Sequence, residues 1–309
     1  MTLAGVFAPI PTPFDDRDEV DTHRLRAALE KWTKRPLAGI VVLGSNGEAA
    51  FLDEVESDRV IVAAREAIPR DKVMIVGTGR ETTRAAVKAA KRAAELGADY
   101  VLVRTPGFFK SQMTDDVFVR HYTAVADASP VPVLLYNFTA VTGVNLLPAA
   151  VARLASHKNI VGMKESGGDI AQIADVIANT PPDFQMLAGT LNTFYAALSI
   201  GCVGGILAPA CIVAEACVRL YDLTRAGRHD EARALQIQLL PIAKLLGGGG
   251  YGVAGLKAAL AVVGYDVGIP RPPLVPAPDA ASAAVRDALS QLSTLDSEVS
   301  TTHYEPVAR

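Results

Sequence analysis

Eight short runs rich in Val, Ile and Leu recur along the chain, at residues 5–9, 39–43, 73–77, 100–104, 133–137, 160–164, 185–189 and 204–207, with longer amphipathic stretches between them. Runs of this kind read as strands of a parallel sheet covered on both faces, and each intervening stretch reads as a crossover helix. Residues 84–96 show the helical half of the unit most clearly, being rich in Ala and Lys and followed by Gly97, a left-handed stop. Eight parallel strands joined by right-handed crossovers close on themselves, so the predicted fold is α/β, a (β/α)8 TIM barrel.

After the eighth run the period changes. Residues 215–225, 230–246 and 253–263 read as successive helices with no strand between them. The expected organisation is therefore a barrel over 1–210, a C-terminal three-helix appendage over 211–275, and an extension over 276–309 that begins helix-capable and ends partly mobile. A doubly wound dinucleotide fold is the rival, but it wants a glycine fingerprint after the first strand, where this chain has Ala8-Pro9-Ile10-Pro11. Gly77-Thr78-Gly79 supplies only two such glycines, and the glycine run at 247–250 falls among the appended helices.

Composition narrows the partners. The 309 residues exceed the roughly 250 of one barrel by enough for the extra helices. Half of them are apolar, as a sheet buried on both faces requires. The formal charge is −3 with no long block of one sign, which argues against nucleic acid or an anionic membrane and for a small-molecule substrate. Cys202, Cys211 and Cys217 lack the paired spacing of a zinc site and read as packing residues of a reducing compartment. The first residues carry no basic leader, prolines interrupt them, and no apolar run reaches spanning length, so a cytoplasmic location is expected. His23, His121, His157, His229 and His303 are scattered and read as surface residues, so no metal is expected. No Gly-x-Ser-x-Gly elbow is present for a serine hydrolase.

In a barrel, polar side chains at the carboxyl ends of the strands converge on one mouth. The sixth run ends Gly162-Met163-Lys164-Glu165-Ser166-Gly167-Gly168, placing Lys164 at the end of an apolar strand. Most lysines are simply solvated, but apolar walls disfavour a charged amine, and the uncharged form is the one that attacks a ketone. The fifth run ends Leu134-Leu135-Tyr136-Asn137, so Tyr136 is either a barrel-core aromatic or a proton carrier beside that amine. The second is followed by Gly44-Ser45-Asn46-Gly47-Glu48, which reads as a plain hydrophilic turn or as a cradle whose backbone amides, Ser45 and Asn46 hold a carboxylate, with Glu48 as a brace. Phe108 and Phe109 form an aromatic pair on the loop after the fourth, which suggests burial against this subunit's own helices or a neighbour.

Three of these segments together resemble one family. Gly44-Ser45-Asn46-Gly47-Glu48, Tyr136-Asn137 with Thr142-Gly143, and Gly162 to Asp169 are similar to the motifs of the dihydrodipicolinate synthase and N-acetylneuraminate lyase family of class I aldolases, over roughly residues 5–274. Within it, 44–48, 159–169 and 184–189 look most like 4-hydroxy-2-oxoglutarate aldolase. The resemblance implies a Schiff base on Lys164, acid/base work by Tyr136, and proton relay through Ser45, with no cofactor. It also implies pyruvyl-carboxylate binding by Ser45, Asn46 and Gly47, and a pocket wall that includes Ser166, Gly189 and Ile206. Phe109 and Val141 stand at the substrate's far end, and the implied assembly is a homotetramer, a dimer of dimers.

Two departures bear on the substrate. Where relatives often carry a tyrosine pair that completes a hydroxyl relay, Phe108 and Phe109 have no hydroxyl. Where dihydrodipicolinate synthases carry an arginine for a distal carboxylate, the nearest position is Val141. The expected activity is thus cleavage or formation of a 4-hydroxy-2-oxo acid such as 4-hydroxy-2-oxoglutarate, giving pyruvate and an aldehyde. The alternatives are a hydratase-aldolase on arylidene pyruvates, a 2-keto-3-deoxy sugar acid aldolase, dihydrodipicolinate synthesis, or a binder of 2-oxo acids without turnover.

Overall fold

The computed structural model describes residues 3–247 and 250–299. Gly248, Gly249 and the end of the tail expected to be mobile, 300–309, lie outside the described residues. Eight strands close a parallel barrel in sequence order: β1 (Gly5–Pro9), β2 (Gly39–Val42), β3 (Val73–Gly77), β4 (Tyr100–Arg104), β5 (Val133–Asn137), β6 (Ile160–Glu165), β7 (Gln185–Ala188) and β8 (Gly204–Ile206). The chain is a (β/α)8 barrel with further helices at its C-terminus.

Helices α1 (Thr22–Trp32), α2 (Glu54–Ala67), α3 (Thr83–Glu95) and α4 (Asp115–Ala128) follow the first four strands. The next connections hold the short α5 (Thr139–Thr142), then α6 (Pro148–Leu154), α7 (Ile170–Ala178) and α8 (Phe194–Ser199). Their starts are chemically marked. Asp21, Asp53, Thr82, Thr114 and Asp169 each cap a helix by accepting backbone N–H groups, and Asp53 with Glu56 forms a reciprocal capping box. After β8 come α9 (Ala214–Arg225), α10 (His229–Leu246), α11 (Gly252–Val262) and α12 (Asp279–Val299). Of these, α9 packs on α8 and β1, while α12 packs on α10 and α11. None of the described helices is long and apolar enough to cross a membrane.

Strand alternation divides the core in two. Inward-facing Phe7, Val41, Ile75, Tyr100, Leu102, Leu134, Tyr136, Leu187 and Ile206 fill the barrel. Outward-facing neighbours such as Ile40, Val42, Val76, Val101, Val103, Leu135 and Met163 pack under the helices. The barrel is therefore a packed plug rather than a pore, and in this fold ligands bind at the carboxyl mouth.

Among the described residues His121 departs most from the surface reading, and His303 lies outside them. His121 on α4 is only 4% exposed, with Nδ1 2.9 Å from Thr83 Oγ1 on α3. It shares a buried helix face with Phe118, Tyr122 and Val125, because positions three and four apart on a helix face the same way. The three cysteines are free and buried.

Candidate active site

The register of β4, β5 and β6 aligns Arg104 with Tyr136 and Tyr136 with Lys164. All three have inward parity, so they form one layer at the mouth. Lys164 is 6% exposed, and its Nζ lies 4.4 Å from the centroid of the Tyr136 ring. The Tyr136 hydroxyl is 3.3 Å from Ser45 Oγ, which comes from the end of β2. The ring also stacks on Phe138 at 6.0 Å between centroids. The phenol is thus held between an amine, a second hydroxyl and an aromatic wall.

The loop after β2 is unusual in its backbone. Leu43 and Glu48, neither of them glycine, have φ of 54° and 53°. Such left-handed conformations cost of order 1–2 kcal/mol each and persist only where the surroundings enforce them. Here Gly77 of β3 makes room, since a Cβ there would lie 1.8 Å from the Leu43 carbonyl oxygen. Thr12 Oγ1 donates to the Gly47 carbonyl at 2.7 Å, and Asn46 Nδ2 donates to the Pro9 carbonyl at 3.3 Å.

Lys164, Tyr136, Ser45, Asn46, Ser166, Gly189 and Ile206 all line one cavity of about 360 Å3. The other predicted residues sit elsewhere. Gly47 holds the loop through its carbonyl rather than lining the cavity. Val141 is 61% exposed and lines an adjoining cavity of about 940 Å3 that shares Ser45, Asn46, Tyr136 and Phe138 with the first. Phe109 is 69% exposed, packs edge-on against Phe108 at 5.0 Å, and lines neither.

The resemblance picks out Ser166 as a pocket wall, but not Thr193, Glu165 or Arg104. Ser166 and Thr193 line this cavity, but their hydroxyl oxygens are buried and without a hydrogen-bond partner among the described residues. Glu165 points the opposite way from Lys164. Its carboxylate accepts from Asn137 Nδ2 at 2.7 Å, Gln172 Nε2 at 3.1 Å and the Gly167 amide. Burial raises its pKa and these hydrogen bonds oppose the shift. That network fixes the Ser166–Gly167–Gly168 turn beside the lysine. Arg104 Nη1 pairs with Glu81 Oε1 at 2.7 Å, and Glu81 Oε2 accepts the Gly107 and Phe108 amides at 3.0 and 2.9 Å. A period-two count from Tyr100 and Leu102 would have found Arg104, since it falls on the inward parity.

Among known proteins, the model of the dihydrodipicolinate synthetase family matches residues 2–292. The chain is 35% identical over 291 residues to a 4-hydroxy-tetrahydrodipicolinate synthase of Exiguobacterium sp., covering 94% of this chain and 98% of the relative. It is 36% identical over 304 residues to a probable mitochondrial 4-hydroxy-2-oxoglutarate aldolase of Emericella nidulans, covering 96% and 97%. Among solved structures, the 4-hydroxy-tetrahydrodipicolinate synthase of Methylacidiphilum fumariolicum SolV superposes with a TM-score of 0.91 at 28% identity, covering 97% of this chain and 99% of that one.

Proposed function

Because this chain belongs to the dihydrodipicolinate synthetase family, we propose that it is a class I aldolase that makes and breaks a carbon–carbon bond next to pyruvate. The observation that carries the reading is the single cavity lined by Lys164, Tyr136 and Ser45, with the amine against the phenol ring and the phenol hydrogen-bonded to the serine.

Lys164 Nζ adds to the C2 ketone of a 4-hydroxy-2-oxo acid, and loss of water leaves a protonated imine that can accept an electron pair. Tyr136, having passed its own proton on towards Ser45, takes the proton of the C4 hydroxyl. The C3–C4 bond then breaks, the aldehyde departs, and its bonding pair becomes an enamine. Protonation at C3 and hydrolysis release pyruvate and restore the amine. Ser45, Asn46 and the backbone amides of their loop hold the C1 carboxylate throughout. Borohydride added with pyruvate should leave a reduced pyruvyl adduct on Lys164, visible by mass spectrometry. An unmodified chain, or an adduct that survives Lys164→Ala, overturns the scheme.

For the substrate, 4-hydroxy-2-oxoglutarate is the first candidate, supported by the likeness of residues 44–48, 159–169 and 184–189 and by the relative of that name. One observation favours a second reading. Apart from Lys164, no residue lining this cavity among the described ones carries a positive charge, and Phe138, Leu191 and Leu246 are among its walls. Apolar walls repay poorly the desolvation of a second carboxylate. An uncharged aldehyde, aromatic or hydroxylated, fits that chemistry, as in a hydratase-aldolase or a 2-keto-3-deoxy sugar acid aldolase. Pyruvate release from a panel of the three substrate types decides between them. Val141, in place of an arginine, speaks against dihydrodipicolinate synthesis.

A homotetramer is part of the proposal. Phe108 is 78% exposed beside exposed Phe109 and Val141, an apolar rim that a second copy would cover. Light scattering should give four times the chain mass, and a monomer would refute it.

A further inference from the structure

We infer that the Glu48–Lys257 ion pair, together with the Arg271 amide, is a positioning device for the loop that holds the substrate carboxylate, so that the C-terminal helices tune affinity for the 2-oxo acid from behind the barrel mouth. This rests on the aldolase reading.

The loop has two sides. On the ligand side lie Ser45 and Asn46, and the contacts to Pro9 and Thr12 steady only its tip. Its far end is Glu48, whose amide donates to the Ser45 carbonyl at 3.1 Å, closing the turn that presents the serine. The Glu48 backbone is left-handed, so this turn opens unless something holds the residue in place.

What holds it comes from the other end of the chain. Glu48 Oε1 is 2.7 Å from Lys257 Nζ on α11, with both side chains 1% exposed. Glu48 Oε2 accepts the Arg271 amide at 2.8 Å. Lys257 also donates to the Ile269 carbonyl at 2.9 Å. The Arg271 guanidinium is itself anchored to Glu56 Oε1 at 2.6 Å and to the Phe51 carbonyl at 2.9 Å. Phe14 completes the assembly, its ring centroid 4.4 Å from Lys257 Nζ and 4.3 Å from Arg271 Cζ. Burial lowers the pKa of Lys257, and Glu48 opposes that shift.

Stability alone does not account for such a pair. Desolvating two charges costs about as much as their attraction returns, and apolar replacements of both partners are often neutral. What a buried ion pair does supply is a fixed geometry. Here the geometry it fixes is that of the residue which ends the carboxylate loop.

The test compares Lys257→Met, Lys257→Arg and the double variant Glu48→Gln/Lys257→Met in the full chain, by melting temperature, steady-state kinetics and the pyruvate concentration that half-saturates borohydride trapping. The double variant should melt closer to the parent than Lys257→Met, yet keep a half-saturating pyruvate concentration and KM raised about tenfold, with kcat changed less than about threefold. Lys257→Arg should restore most of the affinity. A double variant with the parent's half-saturation overturns the inference even if Lys257→Met fails to fold. If the parent itself is never trapped by pyruvate, the aldolase reading falls and takes this role with it. Trapping that is normal in the parent and unchanged in the double variant sinks the positioning role alone.

Discussion

Tyr136 and Lys164 are register partners on adjacent strands, and the lysine Nζ lies 4.4 Å from the centre of the tyrosine ring. No loop intervenes, so the amine and phenol are placed by the hydrogen-bonded ladder itself. Lys164→Ala should abolish trapping and turnover. Tyr136→Phe should keep the ring packing and lower kcat by roughly 10²–10⁴, with pyruvate trapping slowed but present. Stopped-flow measurement of pyruvate release reads both, and a Tyr136→Phe enzyme of unchanged kcat would remove the phenol from the mechanism.

Ser45 Oγ sits 3.3 Å from the Tyr136 hydroxyl, a long hydrogen bond that a ligand can tighten. Ser45→Ala should lower kcat by about 10–100-fold, while Ser45→Thr keeps most of the activity. Equal losses in the two variants would mean that the loop's shape, rather than its hydroxyl, is what matters.

Gly189 leaves no room for a side chain. A Cβ there would lie 2.0 Å from Ser166 Oγ and 2.8 Å from the Glu165 carbonyl oxygen. Gly189→Ala should therefore displace the Ser166 turn and cut kcat/KM by about 100-fold or more, since small misplacements of reacting groups are costly. Circular dichroism should still report a folded barrel, and wild-type kinetics would contradict the packing argument.

Glu165 accepts three N–H donors and offers none. In Glu165→Gln an amide N–H must confront one of those donors, at a cost of about 1–3 kcal/mol. Chemical denaturation should detect it. A variant as stable as the parent would contradict this count of donors.

His121 gives the molecule an acid-labile point. Burial pushes its pKa down to about 4 from an ordinary 6.5. Between those values the unfolded chain binds a proton that the folded one refuses, so stability is full above about 6.5 and declines as the pH falls towards 4, by on the order of 3 kcal/mol at most. Urea midpoints measured across that range should show a shallower fall in His121→Gln. An identical slope would assign the acid sensitivity to other groups.

The strands were legible because burial on both faces writes unbroken apolar runs. β1, β3, β4 and β5 run as expected, and β6 continues one residue further, to Glu165. Lys164, Tyr136 and Ser45 were legible because strand ends have a fixed destination in a closed barrel. Lys257 was not, since nothing local distinguishes a helical lysine that meets a carboxylate across the whole fold. The backbone bond from Arg271 to the same carboxylate spans 223 residues. His121 escaped for the opposite reason. Its neighbours Phe118, Tyr122 and Val125 mark a buried face, and position on that face overrides the usual exposure of histidine.

Lys164 and Glu165 are neighbours in the chain and strangers in the fold, since one faces the cavity and the other faces the supporting helices. Each strand end is thereby a partition between reactivity and masonry. Substitutions on the inner face can change what the cavity accepts while the outer face keeps the walls standing, which is how one architecture can host a succession of related chemistries.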